Sequence, residues 1–173
     1  MSEPNTARPL VGILMGSDTD LPVMSEAARM LKKFGIPFEL EVTSAHRSPA
    51  RTAEYARTAR DRGLKAIIVG AGGAAHLGGV VAAETTLPVI GVPVDSSPLS
   101  GMDALLATAQ MPGGVPVATM AVGKAGAINA GVFAVQILAA SDPALVAALD
   151  AYKKDLARGV AEKNQKVQRE FQI

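Results

Sequence analysis

Three short segments carry the side chains on which chemistry could turn. Gly16-Ser17-Asp18-Thr19-Asp20 offers hydroxyls, carboxylates and unpaired backbone N–H groups. Ser44-Ala45-His46-Arg47 sets an imidazole beside a guanidinium, and Gly70-Ala71-Gly72-Gly73-Ala74-Ala75-His76 is a run of small residues ended by the only other histidine. An arginine grips a phosphate in a fork of N–H donors, and a histidine next to it exchanges a proton near neutrality. Ser17 and Thr19 at a helix start form an anion site, for which phosphate is the usual occupant. Asp20 would repel a phosphate and is better suited to accept hydrogen bonds from sugar hydroxyls. Helix capping is the competing reading of Ser17, Asp18 and Asp20, and spacing leaves both open. Glycines in the third segment let backbone N–H groups approach a small carboxylate or a planar ring. His76 there either lines the pocket or bonds to backbone at a helix start.

Two further patterns carry less. Residues 70–75 read G-x-G-x-x-A with Asp95 roughly 20 positions on, the outline of a dinucleotide fingerprint. That outline belongs on the strand that opens such a fold, whereas here it follows the third. Lys124 follows a glycine but lacks the upstream glycine pattern and the following Ser or Thr of a phosphate-binding loop.

The elements that must position these segments follow from the hydrophobic pattern. Apolar runs of five to eight residues alternate with longer helical patterns, the signature of βαβ units and a parallel sheet. Strands are predicted over 10–15, 37–43, 66–69, 89–94 and 115–120. Helices are predicted over 21–34, 49–62, 102–109, 125–139 and 144–170, with another opening from the 70–79 segment toward Ala83. Gly35 and Gly63 supply left-handed helix ends, and Pro49 suits a first helical turn. Five strands in this rhythm predict a flavodoxin-like, doubly wound parallel sheet of order 2-1-3-4-5, with helices on both faces and a long C-terminal helix. No repeat or linker divides the chain, so one α/β domain is expected, its core at 9–141 and a helical extension at 142–171. In such sheets ligands bind beyond the carboxyl ends of the strands, where the order reverses. All three segments fall there.

Composition narrows the function. The 173 residues contain no cysteine, which excludes disulfides, thiolate catalysis and cysteine-held metal. Two histidines are too few for a histidine-rich metal site. A net charge of +1 with interspersed signs lacks the basic stripe of a nucleic-acid binder. Neither a leader-like run over 1–9 nor an 18-residue apolar span is present, so a soluble cytoplasmic protein with no membrane partner is expected. Only 3% of residues are aromatic, so the core is built from aliphatic side chains and close backbone approach.

Taken together, the three segments resemble the bacterial 5-(carboxyamino)imidazole ribonucleotide mutases, the PurE proteins. Leu87-Pro88-Val89-Ile90-Gly91-Val92-Pro93-Val94, the stretch from Gln110 to Thr119, Ala125-Gly126-Ala127 and Asn129-Ala130 extend the likeness across 11–138 in family order. Departures are small: Thr19 stands where Ser is common, Gly78 where Pro is usual, and Val80 where Met is usual. The resemblance implies that Ser17 and Arg47 bind a phosphate with help from Thr19 and Ser44, and that Asp20 holds ribose hydroxyls. His46 would be the catalytic acid and base, with Gly72 and His76 lining the substrate. It further implies a small ribonucleotide substrate, no metal or organic cofactor, and a homo-oligomer, an octamer. A relative that carboxylates aminoimidazole ribonucleotide from free carbon dioxide is the near alternative, and a flavin or dinucleotide redox module the remote one. For the assembly the sequence adds Leu145, Leu149, Tyr152, Leu156 and Val160, an apolar stripe at helical spacing.

Overall fold

The protein, seen here as a computed structural model, is described over residues 8–172. The stretch 1–9 read above for a leader therefore lies outside the described residues apart from Arg8 and Pro9. In chain order the elements are β1 (Val11–Met15), a 3-10 turn (Asp18–Asp20), α1 (Leu21–Lys33), β2 (Phe38–Val42), α2 (Pro49–Ala59) and β3 (Ala66–Gly72). They continue with α3 (Leu77–Glu84), β4 (Val89–Val94), α4 (Met102–Ala109), β5 (Ala118–Thr119), α5 (Lys124–Ala139) and α6 (Pro143–Phe171). Every strand pair is parallel and the order is β2-β1-β3-β4-β5, the doubly wound arrangement expected. The described chain forms two compact units, one ending at Ile137 and the other beginning at Leu138.

Alternation along the central strands builds two apolar layers. Leu14, Ile67, Val69 and Val89 join Tyr55, Ala56 and Ala59 of α2 and Leu77 and Val81 of α3 in one buried cluster. The opposite parity, Ile13, Met15, Ile68 and Ile90, is also fully buried. With few aromatics, this second layer closes by near-contact of backbone. A Cβ on Gly70 would lie 2.2 Å from Met24 Sδ of α1, and one on Gly131 of α5 would lie 3.0 Å from the Ala27 carbonyl oxygen. Helix α1 buries Val23, Met24, Ala27, Met30 and Leu31, one stripe at spacings of three and four. It ends at Gly35, whose φ of +69° is a conformation glycine adopts without strain.

Two expected strands change extent, and α2 ends at Ala59, three residues before the expected 62. β3 runs through Gly72 rather than stopping at Val69, because Gly70, Ala71 and Gly72 stay in register with Val92, Pro93 and Val94. β5 contains two residues instead of six. Pro116 has no N–H for the ladder, and Gly114, at φ +93°, turns the chain just before it. The Val115 N–H closes that turn on the Pro112 carbonyl. The last helix is a single 29-residue element.

Candidate active site

β1 lies between β2 and β3, so the loops leaving these three strands converge at one end of the sheet. The Thr43 N–H donates to the Met15 carbonyl and the Gly16 N–H to the Gly70 carbonyl, carrying the sheet pairing to the base of the loops. Between them is a cavity of about 190 Å³ lined by Ser17, Thr19, Asp20, Ser44, His46, Arg47 and Gly72, together with Gly16, Ala45, Ala71, Ala74, Leu77 and Ser96. Seven of the eight site residues expected from sequence thus face one space. His76 is the exception, and it lines a neighbouring hollow with Gly79, Val80, Ala107, Gln110 and Met111.

Local hydrogen bonds explain how the loops hold their shape. Ser17 Oγ accepts from the Thr19 N–H at 3.3 Å, and Asp20 Oδ2 accepts from the Ser17 N–H at 3.2 Å. This reciprocal pair is a capping box, here on the 3-10 turn that leads into α1. The capping reading of Ser17 and Asp20 is therefore realised, while both residues still line the cavity. Thr19 Oγ1 donates to Ser17 Oγ at 2.9 Å, and Ser17 Oγ to Asp18 Oδ1 at 3.2 Å, a short chain of polar atoms at the rim. In the second loop Ser48 Oγ accepts from the Ser44 N–H at 3.0 Å, and Ser44 Oγ accepts from the Arg47 N–H at 3.2 Å. The turn that presents His46 and Arg47 is thus knotted by serine hydroxyls. Arg47 Nη2 reaches back to donate to the Gly16 carbonyl at 3.3 Å, which sets the guanidinium beside the Ser17 turn. An anion entering there meets a cation and a hydroxyl together.

Asp20 is only 3% exposed. Burial raises its carboxyl above the ordinary range, opposed by the N–H groups of Ser17 and Gly16, while the charge of Asp18 pushes it further up. A buried carboxylate of this kind is a strong acceptor for hydroxyl donors and a poor neighbour for a phosphate.

His76, at the start of α3, does not line the cavity, and its ring makes no hydrogen bond to backbone among the described residues. Its Nδ1 is 2.8 Å from His46 Nε2, with ring centroids 4.9 Å apart and planes at 80°. One of the two nitrogens carries the proton of this bond. His46 Nδ1 makes no hydrogen bond to a described residue.

Ser96 is the polar cavity residue that sequence reasoning missed. It lies in Asp95-Ser96-Ser97 with nothing in its type or spacing to distinguish it, and only the pairing of Gly72 with Val94 brings it beside β3. That pairing also weakens the dinucleotide reading, because Gly70 and Gly72 are committed to the β4 ladder.

Residues 10–159 match the AIR carboxylase family. The chain is 57% identical over 155 residues to the N5-carboxyaminoimidazole ribonucleotide mutase of Bacillus subtilis, covering 90% of this chain and 96% of that one. It is 55% identical over 166 residues to the protein of the same name from Mycobacterium tuberculosis, with 96% and 94% covered. Among solved structures it is similar to Treponema denticola PurE, with a TM-score of 0.81, 28% identity, and 92% of this chain and 98% of that one covered.

Proposed function

This chain belongs to the AIR carboxylase family, and from that membership we propose that it works as an N5-carboxyaminoimidazole ribonucleotide mutase of purine biosynthesis, the activity for which its 53–57% identical relatives are named. The observation that carries this reading to individual residues is the meeting of Ser17, Arg47, His46 and Gly72 around one cavity. Phosphate sits with Ser17 and Arg47, assisted by Thr19 and Ser44. The ribose hydroxyls donate to Asp20. The imidazole lies toward Gly72 and the small residues after it, within reach of His46, while His76 supports the His46 ring from outside the cavity.

The reaction moves one carboxylate and one proton. Protonated His46 gives its proton to the exocyclic nitrogen, the nitrogen–carboxyl bond breaks, and carbon dioxide is released beside the ring. The electron-rich C4 then attacks that carbon dioxide to form the new carbon–carbon bond. The C4 proton leaves to His46, which is restored to its starting state. Keeping carbon dioxide at the ring makes recapture effectively intramolecular, a large advantage over capture from solution. Gly72 and Ala74 at the cavity wall fit so small a guest.

No helix among the described residues is long and apolar enough to cross a membrane, and we read the enzyme as cytoplasmic, acting on a small ribonucleotide and not on nucleic acid. The resemblance also implies an octamer, for which α6 offers Leu156, Val160, Val167 and Phe171, each more than half exposed.

The decisive experiment is turnover of N5-carboxyaminoimidazole ribonucleotide by the wild type and His46→Asn. Asparagine keeps a hydrogen-bonding group but cannot carry a proton, and loss of acid–base catalysis costs about 10²-fold or more. Conversion by the wild type without added bicarbonate, and a variant that binds but does not turn over, is expected. More than about a tenth of the wild-type rate in the variant rejects His46 as the proton carrier. A wild type that acts only on aminoimidazole ribonucleotide with free carbon dioxide would instead be the direct carboxylase.

A further inference from the structure

The loop after β4 brings to the cavity a hydroxyl for which no hydrogen bond among the described residues accounts. Ser96 lines the cavity from the side away from β2, and its side chain has no hydrogen-bond partner among the described residues. Its neighbour Ser97 is engaged in the fold. Ser97 Oγ donates to Asp103 Oδ1 at 2.7 Å and accepts from the Leu99 N–H at 3.3 Å, tying the loop to the start of α4. Of two adjacent serines, one fastens the loop and the other is left facing the cavity.

Gly72 makes that placement possible. A Cβ at Gly72 would lie 1.9 Å from Ser96 Oγ and 3.2 Å from the Val94 carbonyl oxygen, so the serine hydroxyl occupies the space a side chain on β3 would fill. Gly72 has a φ compatible with other residues, since it is not among the glycines of positive φ. The missing side chain therefore serves the close approach of Ser96, not a turn.

Position across the sheet says which part of a ligand this hydroxyl meets. Neighbouring strands are about 4.8 Å apart, so the end of β4 is about 10 Å from the end of β1 and about 14 Å from that of β2. Ser17 follows β1 and Arg47 follows β2. A nucleotide whose phosphate is held by those two residues extends its base toward β3 and β4. The geometry points to Ser96 as a substrate-binding residue for the base end, donating its hydroxyl hydrogen to the carboxylated imidazole, with Gly72 as the residue that makes room for it. This inference rests on the mutase reading and on the phosphate lying with Ser17 and Arg47.

Calorimetric titration with two probes separates the parts. The probes are ribose 5-phosphate, which lacks the base, and 4-carboxy-5-aminoimidazole ribonucleotide, the reaction product. Ser96→Ala should weaken binding of the product roughly 10-fold or more, the usual size for a hydrogen bond to a charged group, and leave ribose 5-phosphate within about twofold. Arg47→Ala should weaken both. Gly72→Ala should also weaken the product, and by a smaller factor in the Ser96→Ala background than alone, because the hydroxyl it displaces is then gone. Unchanged product affinity in Ser96→Ala, equal weakening of both probes, or fully additive losses for Gly72→Ala and Ser96→Ala each overturn the assignment. A wild-type protein that binds neither probe overturns the mutase reading as well, whereas normal product binding and turnover in Ser96→Ala overturns the serine alone.

Discussion

His46 lines the cavity, whereas His76 bonds to the His46 ring and lines a neighbouring hollow, so truncating the two should have unequal consequences. His76→Asn removes a neighbour that orients His46 through one 2.8 Å hydrogen bond. It removes no group that faces the cavity. Steady-state rates for this variant should stay above about a tenth of wild type, against a loss of about 10²-fold or more for His46→Asn. Equal losses would mean that the two rings move the proton as a unit. Asp20 supplies a second contrast, in stability. Its carboxyl is raised by burial, so folding disfavours the charged form. A group raised in this way contributes most stability below its unfolded value of about 3.9 and loses that contribution as pH rises through the folded value. Asp20→Asn removes the charge while its amide oxygen still accepts from the Ser17 N–H. Urea denaturation at pH 7 should therefore find the variant at least as stable as wild type, with any advantage shrinking as pH falls toward 4. A wild type favoured at pH 7, with that margin fading in acid, would show that the N–H groups outweigh burial. At this scale the sequence exposed the charged and imidazole groups through their type. It concealed Ser96, because a serine is ordinary anywhere and acquires meaning only from the strand that lies beside it.

Element positions were legible where side-chain patterning decides them and less so where hydrogen bonding does. The periodicity of α1 and the apolar run of β4 mark their own extents. β3 outlasts its apolar run because Gly70–Gly72 pairs with β4, which no hydropathy pattern reveals, and β5 falls short of its run because Pro116 cannot join the ladder. Glycine within a strand has a packing cause here as well. Gly12 of β1 faces Tyr55 of α2, and a Cβ there would lie 2.1 Å from Tyr55 Oη. That hydroxyl is buried with no hydrogen-bond partner among the described residues, and burial together with nearby Glu39 drives the phenol far above its ordinary range. The Arg62 guanidinium carbon lies 4.5 Å from the centre of the ring, which limits how far the ring can move. Gly12→Ala should destabilise the fold by about 1–3 kcal/mol through overpacking. Tyr55→Phe removes the obstructing atom and an unsatisfied polar group together, so it should be close to neutral alone and should reduce the cost of Gly12→Ala. Chemical denaturation of the four proteins in that cycle checks both, and strictly additive effects would show that the hydroxyl is not what Gly12 accommodates.

At the scale of the whole molecule, α6 presents apolar surface that a single chain leaves in water. Its 29 residues extend about 43 Å at 1.5 Å per residue. Of the stripe anticipated from spacing, Leu149 is buried, whereas Leu156 is 54% and Val160 66% exposed. Val167 and Phe171 continue the exposed series toward the end of the helix. Isolated exposed apolar residues are ordinary, but four between Leu156 and Phe171 on one helix form the kind of surface that association covers. A second copy of this chain is the occupant that the family resemblance implies, and a net charge of +1 offers little long-range repulsion between copies. Leu156→Glu combined with Val160→Glu places two carboxylates on that face without disturbing a buried position. Light scattering at micromolar concentration should find the wild type as a multimer of the 17.7 kDa chain, eightfold on the family's pattern, and the double variant as smaller species. Circular dichroism should find the helical content of the variant retained, because the changed residues are exposed in the isolated chain. A double variant with undiminished mass would move the interface elsewhere on the molecule, and a fully active wild type at the monomer mass would remove the need for one.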